Sequence, residues 1–249
     1  MVYIINDKER IVGESQAMKE VFDKIRKLKD LNIPVLITGE TGTGKYLVAR
    51  ALHYTGKRSQ APYHSLNCGA LTETLIEEEL FGHKKGSFTD AREDRKGFFE
   101  ACNGGSLNLD EVTMLSPSSQ SKLLTAVEYN YSYRIGDTTP RLHNTRMIAS
   151  TNQDIKLLRP DLYHRLAVGM VKVPALRYRK DDIPLLMQHF AQTMSDAYPF
   201  ADADYTAFSL YDWTGNVRQL KHAIERIVVL GEDKMSVLER MINETSKVP

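Results

Sequence analysis

Residues 34–46 read Pro-Val-Leu-Ile-Thr-Gly-Glu-Thr-Gly-Thr-Gly-Lys-Tyr, and this stretch carries the strongest local signal in the chain. The apolar run 35–38 predicts a short buried strand, and apolar residues recur at helical spacing over 47–52. Three glycines lie between the two patterns. Because glycine permits backbone conformations that other residues avoid, the stretch predicts a tight turn that joins a strand to a helix.

The turn fits the GxxxxGK pattern of a phosphate-binding loop. Its backbone N–H groups can converge on phosphate oxygens, the helix N-terminus adds a positive dipole, and Lys45 can reach the β- and γ-phosphates. Tyr46 stands where the pattern has a Ser or Thr that binds magnesium. The alternative is a glycine-rich turn with a surface lysine, and the strand before it and the helix after it argue against that interpretation. The predicted nucleotide-binding residues of this loop are Gly39, Glu40, Thr41, Gly42, Thr43, Gly44, Lys45 and Tyr46.

A second motif lies at residues 104–111, which read Gly-Gly-Ser-Leu-Asn-Leu-Asp-Glu. The run predicts a strand that ends in two adjacent carboxylates. Asp110 at a strand end can hold Mg²⁺, and Glu111 can polarise a water for in-line attack on a γ-phosphate. Taken alone, the pair could be exposed carboxylates that open a loop, but together with the phosphate-binding loop it predicts a site for ATP and Mg²⁺.

The composition is that of an ordinary globular protein. The chain has 249 residues, 42% hydrophobic and 26% charged, with 15 Gly and 9 Pro, which excludes collagen-like, low-complexity and wholly disordered chains. A net charge of +1 lacks the basic excess of a module that grips DNA phosphates. The sequence predicts no membrane-spanning segment and no signal peptide, so the cytoplasm is the expected compartment. Cys68 and Cys102 match no metal or disulfide pattern and are expected in the core.

Strand and helix patterns alternate along the first part of the chain, which predicts an α/β fold with a mainly parallel sheet. After Pro174 the strand patterns stop, and we place a boundary near residues 174–180 between a nucleotide-binding core, 1–175, and a small helical lid, 176–249. The predicted strands are 35–38, 106–109 and 146–150, and the predicted helices are 15–30, 118–129, 182–198, 216–230 and 234–245.

The chain resembles the AAA+ ATPase domain of bacterial enhancer-binding proteins, the NtrC-like activators of sigma-54 RNA polymerase. The resemblance runs over nearly the whole chain, from Ile11 to Leu230. Besides the two nucleotide motifs, it rests on Ile11-Val12-Gly13-Glu14-Ser15, Leu66-Asn67-Cys68, Glu79-Leu80-Phe81-Gly82-His83, Gly86-Ser87-Phe88-Thr89-Asp90-Ala91, Gln120-Ser121-Lys122-Leu123-Leu124, Ala149-Ser150-Thr151-Asn152, Asp161-Leu162-Tyr163-His164-Arg165-Leu166 and Trp213-Thr214-Gly215-Asn216-Val217-Arg218-Gln219-Leu220.

The resemblance implies a P-loop NTPase core of the AAA+ type, a parallel sheet flanked by helices, with an α-helical lid. It also implies roles for single residues: Lys45 would bind phosphate, Asp110 would hold magnesium and Glu111 would activate water. Asn67 matches the asparagine that restrains the catalytic glutamate, and Arg159 and Arg165 match arginine fingers that reach the nucleotide of a neighbouring subunit. Further residues implied to contact the nucleotide are Ile11, Val12, the first sensor Thr151 and Asn152, and the second sensor Arg218.

Residues 80–95 would form an insertion whose tip, 86–91, aligns with the family's sigma-54-contacting GAFTGA loop. Phe88 and Thr89 are retained as the implied partner-binding residues, and we expect Phe88 to be exposed. Asp90 replaces a glycine and adds a side chain and a negative charge at a tight turn. Other departures are Tyr46, which replaces a residue that is usually acidic in the family and is expected to weaken the activity, and short spacings before Arg159 and before Trp213.

The leading hypothesis is an ATPase that remodels the sigma-54 RNA polymerase holoenzyme and assembles as a ring, expected to be a hexamer, with a heptamer left open. The alternative is a diverged relative that regulates promoters of ordinary sigma holoenzyme, with nucleotide binding as an assembly signal; Tyr46 and Asp90 favour it. A scaffold with an inactive nucleotide site conflicts with the simultaneous presence of Lys45, Asp110, Glu111, Asn67 and Arg165. DNA would be contacted only through a domain absent from this chain.

Overall fold

The computed structural model describes residues 2–88, 91–195 and 200–245. The strands of this part are β1 Val2–Ile4, β2 Arg10–Val12, β3 Val35–Thr38, β4 Tyr63–Asn67, β5 Gly82–His83, β6 Arg95–Lys96, β7 Ser106–Asp110, β8 Tyr131–Ser132, β9 Arg141–Leu142, β10 Arg146–Thr151 and β11 Gly169–Lys172. The helices are α1 Gln16–Leu28, α2 Lys45–Tyr54, α3 Glu73–Phe81, α4 Phe98–Ala101, α5 Pro117–Tyr129, α6 Pro160–Leu166, α7 Ile183–Met194, α8 Asp202–Leu210, α9 Asn216–Leu230 and α10 Lys234–Thr245.

The described chain packs as two compact units. The sheet unit comprises residues 24–38 and 48–172. The lid unit comprises residues 2–23, 39–47 and the described part of 173–249.

The sheet unit is built on five parallel strands in the order β11-β3-β10-β7-β4. The three central strands are almost entirely buried, as their apolar sequences require. Helices of the same unit cover the sheet and share one core with it. The largest fully buried side chains of that core are Leu36, Leu80, Phe99, Leu107 and Leu109.

Two polar side chains help to fix this unit. Asn108 interrupts the apolar run of β7, yet it is fully buried and donates a hydrogen bond to Ser65 Oγ of β4 at 2.8 Å. Arg146 begins β10 and is 2% exposed; its guanidinium donates to the carbonyls of Leu28 and Lys29, both at 2.8 Å. These carbonyls belong to the end of α1, so a buried arginine satisfies acceptors that a helix end leaves open.

The lid unit contains the β1–β2 hairpin, the phosphate-binding segment and helices α7 to α10. Its core surrounds Trp213, whose indole N–H donates to the Phe208 carbonyl at 2.7 Å. Gly231 ends α9 with a φ of 68°, a conformation that glycine adopts at little cost. The remaining large core residues of this unit include Leu176, Ile183, Met187, Leu220, Ile224 and Ile227.

The predicted α/β class with a parallel sheet and a helical C-terminal part is confirmed. The predicted strands at 35–38, 106–109 and 146–150 are present within one residue, and the predicted helix 118–129 is α5. Strands β4 and β11 and helix α8 were not predicted, and α7 ends at Met194 within the predicted helix 182–198. None of the described helices has the length and apolar character that crossing a membrane requires.

Candidate nucleotide site

Three central strands of the sheet unit end at the same edge. Thr38, the last residue of β3, is paired with Thr151 at the end of β10, and Leu109 of β7 is paired with Ala149. Parallel α/β sheets bind ligands beyond the carboxyl ends of their strands. The segment that follows β3 is the glycine-rich loop, and the residue that ends β7 is Asp110.

The glycine-rich loop has the conformation of a phosphate cradle. Gly42 and Gly44 have φ angles of 78° and 103°, which explains why glycine stands at both positions. Helix α2 begins at Lys45, so the positive end of its dipole faces the loop. Lys45 is 7% exposed, and its ammonium donates to the carbonyls of Gly39 at 3.0 Å and Glu40 at 3.4 Å. The cation is therefore already positioned over the loop.

Residues from the C-terminal part of the lid unit contact this loop. The Arg218 N–H donates to the Gly42 carbonyl at 3.2 Å, and a Cβ at Gly42 would overlap the Gly215 carbonyl oxygen. Arg179 is 3% exposed and donates from Nη2 to the Thr43 carbonyl at 3.0 Å. Burial lowers the pKa of Arg179 to about 10, so the guanidinium stays charged at neutral pH.

A fully buried carboxylate, Asp182, ties the N-terminal segment to the lid. Its oxygens accept the N–H groups of Glu14 at 2.6 Å and Ser15 at 2.7 Å, and the Ser15 hydroxyl at 2.8 Å. The same serine caps α1 by accepting the Met18 N–H at 3.3 Å. The predicted nucleotide-contacting residues Ile11 and Val12 precede this junction on β2 and are 7% and 6% exposed.

Asp110 ends β7 and Glu111 follows it. We call this part of the sheet unit the carboxylate edge. Asp110 Oδ1 accepts the Ser150 hydroxyl at 2.5 Å and the Glu111 N–H at 3.2 Å. Glu111 has a φ of 54° and a ψ of 48°, the left-handed conformation that costs a non-glycine residue about 1–3 kcal/mol. Its Oε2 accepts the backbone N–H of Asn152 at 3.1 Å. Strained backbone conformations of this kind cluster at functional sites.

Asn67, Glu111 and Asn152 line one cleft of about 290 Å³, together with Gly69, Ala70, Met114 and Gln153. Asn67 Oδ1 accepts the Gly69 N–H at 2.8 Å. Thr151 is buried, and its hydroxyl lies 2.8 Å from that of Thr113. The structure thus brings three of the predicted site residues together, whereas Thr151 does not line this cleft.

The two predicted finger arginines are surface residues near α6. Arg159 binds Asp161 at 2.7 Å and the Ser121 hydroxyl at 3.0 Å, and its side chain is 44% exposed. Arg165 binds Glu128 at 2.5 Å, and its side chain is 54% exposed. The shortened segment before Arg159 is a single 3₁₀ turn, Ile155–Leu157. Both guanidiniums are accessible, and each is paired with a carboxylate.

The remaining predicted residues are also on the surface. Arg218 is exposed near the start of α9, and Tyr46 is 46% exposed in the first turn of α2. Phe88 is 40% exposed, as expected, and its ring contacts that of His83 at a centroid distance of 4.9 Å. Thr89 and Asp90 lie outside the described residues.

The donor set at the edge fits magnesium. Mg²⁺ in nucleotide sites is usually held by one or two carboxylates, with phosphate oxygens and waters completing an octahedron. Among the described residues no group of three or more His, Cys, Asp or Glu side chains could hold a metal ion. Asp110, at the end of β7, is the carboxylate that would hold such an ion.

Sequence reasoning assigned no role to Arg177, Arg179, Asp182 or the Asn216 side chain. Asn216 lay within a quoted motif, but its partners are distant in sequence: its amide donates to the Thr41 carbonyl at 3.0 Å, 175 residues away. The Glu40 carboxylate likewise turns to Arg177, 137 residues away. No local pattern predicts such pairs.

A family model described as the sigma-54 interaction domain matches residues 11–172, and a model of the AAA+ ATPase lid domain matches residues 177–247. The chain is 45% identical over 234 residues to the anaerobic nitric oxide reductase transcription regulator NorR of Aeromonas salmonicida (strain A449), an alignment that covers 90% of this chain and 46% of that protein.

Two further relatives were found. The transcriptional regulatory protein ZraR of Escherichia coli (strain K12) is 42% identical over 231 residues, covering 88% of this chain and 52% of that protein. The crystal structure of NtrX from Brucella abortus in complex with ATP superposes with a TM-score of 0.81 at 33% identity, covering 89% of this chain and 51% of that chain. The chain thus spans about half the length of the relatives it matches.

Proposed function

The chain belongs to the family of sigma-54 interaction domains with an AAA+ lid, and from this membership we propose that it hydrolyses ATP to remodel the sigma-54 RNA polymerase holoenzyme. The observation that carries the proposal is the carboxylate edge, where Glu111 accepts the Asn152 N–H and shares a cleft with Asn67. The alternative, regulation of ordinary sigma promoters, has less support because the matched family is that of the sigma-54 interaction domain.

In this proposal the glycine-rich loop binds the triphosphate. Backbone N–H groups of residues 39–45 and the N-terminus of α2 bind phosphate oxygens, and the Lys45 ammonium exchanges its carbonyl partners for the β- and γ-phosphates. Ile11 and Val12 would contact the nucleotide from β2, and Arg218 would do so from the lid. Mg²⁺, held by Asp110, would neutralise charge on the phosphates.

Glu111 would orient the attacking water. The water oxygen forms a bond to the γ-phosphorus while the bond between that phosphorus and the ADP oxygen breaks, and Glu111 accepts the water proton. The Asn152 N–H fixes this carboxylate, and Asn67, which lines the same cleft, would restrain it. Thr151 would act as part of the first sensor through its position on β10.

Two exposed arginines support assembly into a ring, proposed to be a hexamer. Arg159 and Arg165 would exchange Asp161 and Glu128 for the γ-phosphate of a neighbouring subunit. A finger given to a neighbour makes hydrolysis depend on assembly. We therefore expect the turnover per subunit in Mg-ATP to rise with protein concentration.

The enzymatic part is tested with Lys45→Ala, which should abolish ATP binding and turnover. Lys122→Ala is the matched control, because Lys122 is an exposed lysine paired with Glu77 at 2.8 Å. Absence of turnover by the native chain at high concentration in Mg-ATP would contradict the ATPase proposal.

The partner is tested by capture of sigma-54 in the presence of ADP and a metal fluoride that mimics the transferring phosphate. We expect the native chain to retain sigma-54 and Phe88→Ala to lose it. Tyr129→Ala is the control, since Tyr129 is an exposed aromatic residue, 59% accessible, on another element. Failure of an ATP-hydrolysing native chain to capture sigma-54 would overturn the partner and leave the enzyme proposal standing.

A further inference from the structure

The phosphate-binding loop carries an acidic side chain at its second position. Glu40 lies five residues before Lys45, and its own carbonyl accepts the Lys45 ammonium at 3.4 Å. A carboxylate within the loop can weaken phosphate binding in two ways. It repels a polyanion, and it competes with the phosphates for the lysine. The loop therefore requires a group that holds and neutralises Glu40.

Arg177 faces this carboxylate in a two-pronged arrangement. Nη1 donates to Glu40 Oε2 at 2.7 Å, and Nη2 donates to Oε1. The guanidinium also lies over the Tyr178 ring, 4.7 Å from its centroid, which orients its plane. The hydrogen bonds from Arg177 hold the pKa of Glu40 below its ordinary value. Bidentate pairs of this kind are among the stronger hydrogen-bonded contacts in proteins.

Asn216 fixes the same carboxylate from the start of α9. The side chain is fully buried, and its Nδ2 donates to Glu40 Oε2 at 3.2 Å and to the Thr41 carbonyl at 3.0 Å. Its Oδ1 accepts the Leu176 N–H at 2.8 Å, the residue before Arg177. The backbone φ of Asn216 is 57°, a left-handed conformation that asparagine tolerates better than most residues.

We propose that Arg177 and Asn216 are positioning residues that turn the Glu40 carboxylate toward the lid and thereby leave Lys45 to the phosphates. The inference rests on the proposed function insofar as ATP is the ligand of the loop. Once Arg177 is removed, Glu40 should weaken nucleotide binding, and the loss of affinity should grow with the number of phosphates on the nucleotide. Loss of fold would weaken all nucleotides alike.

The test is equilibrium binding of ATP, ADP and AMP by titration calorimetry. For Arg177→Ala we expect ATP to bind about tenfold more weakly, ADP less so and AMP within about twofold of the native affinity, with the deficit shrinking at high salt. Placing Glu40→Gln on the Arg177→Ala background should restore ATP affinity to within about threefold of the native value. Lys180→Ala is the matched control, because Lys180 lies in the same segment and pairs with Asp212 at 3.0 Å.

Arg177→Lys provides a variant that keeps the charge and loses the two-pronged geometry, so an unfolded alanine variant does not leave the question open. We expect it to lose about threefold for ATP and nothing for AMP. Equal losses for ATP and AMP, or a double variant as weak as Arg177→Ala, would overturn the inference. A native chain that binds no ATP would instead overturn the proposed function.

Discussion

Lys45 and Glu111 are the residues to which the proposed ATP hydrolysis assigns phosphate binding and water activation, and their surroundings differ. Lys45 is 7% exposed in a loop held by hydrogen bonds from Arg179 and Arg218 and by close packing against Gly215. Glu111 has a left-handed backbone, lines an open cleft of about 290 Å³ and is held by the Asn152 N–H.

The difference fits the roles proposed for the two residues. Phosphate binding uses backbone N–H groups whose directions must be set before the ligand arrives, since ordering a loop on binding costs affinity. A general base needs room for a water and a fixed direction in the transition state. Changes in the loop should therefore act on affinity and stability, and changes at the edge should act on turnover.

The largest effect on turnover alone is expected for Glu111→Gln. Turnover should fall by about 10³-fold because the amide cannot accept a proton, while ATP affinity stays within about twofold of the native value. Phosphate release and nucleotide titration measure the two quantities. Glu239→Gln, which removes an exposed carboxylate from α10, is the control. If Glu111→Gln lost ATP affinity as well as turnover, changes at the carboxylate edge would not act on turnover alone, contrary to this expectation.

Gly42→Ala tests how strictly the loop is held. A Cβ there would overlap the Gly215 carbonyl oxygen and lie 3.1 Å from Arg218 Cβ, at a φ of 78°. We expect a loss of about 3 kcal/mol in the free energy of unfolding and weaker ATP binding. Urea titration followed by the fluorescence of Trp213, the single tryptophan, measures the loss.

Gly231→Ala is the matched control for this change. Gly231 has a φ of 68° and nothing within 4 Å of a Cβ, so only the backbone cost of about 1 kcal/mol remains. Equal losses for the two variants would mean that contact with the lid does not constrain the loop.

The parts of the fold that the sequence predicts are those with local signals. The central strands are continuous apolar runs, and α5 begins at Ser116-Pro117 and ends before Asn130, residues that favour helix ends. The edge strands β4 and β11 were missed because they are half-exposed and mix polar with apolar residues. Helix α8 was missed because Pro199 and short polar residues obscure its pattern.

The site divides in the same way. The loop and the two carboxylates were predicted from consecutive residues, and their functional roles stay predictions. Sequence cannot tell a fixed arginine from an exchangeable one: Arg146 and Arg179 are 2% and 3% exposed, whereas Arg159 and Arg165 lie on the surface. That distinction depends on burial, which comes from packing between residues far apart in the chain.

Arg165→Ala tests whether the exposed arginines complete a neighbour's site. Turnover should fall by about 10²-fold or more, because a cationic finger stabilises charge in the transition state. Mixing this variant with inactive Lys45→Ala should restore part of the activity, since each supplies what the other lacks. Arg240→Ala is the control, an exposed arginine paired with Glu232 at 3.2 Å. No recovery in the mixture would argue that Arg165 acts within its own chain.

The smallest effect concerns two buried histidines of the sheet unit, and it acts on stability and not on the chemistry of the site. His53 and His143 are buried in the sheet unit, 0% and 6% exposed. Burial is the main cause that lowers the pKa of each to about 4, with nearby Arg146 adding to the effect on His53. Both imidazoles are therefore neutral in the folded chain at pH 7.

Because an unfolded histidine has a pKa near 6.5, the unfolded chain binds these protons first as the pH falls. Stability from the neutral imidazoles is complete above pH 6.5 and is lost progressively toward pH 4. At pH 5.5 the two histidines together should lower the free energy of unfolding by about 3 kcal/mol relative to pH 7.5. Thermal unfolding at the two pH values measures the difference, and His53→Asn with His143→Asn should flatten it. If the unfolding midpoint of the native chain is the same at both pH values, protonation of these histidines does not destabilise the fold. Any loss of turnover in acid would then come from Asp110 and Glu111.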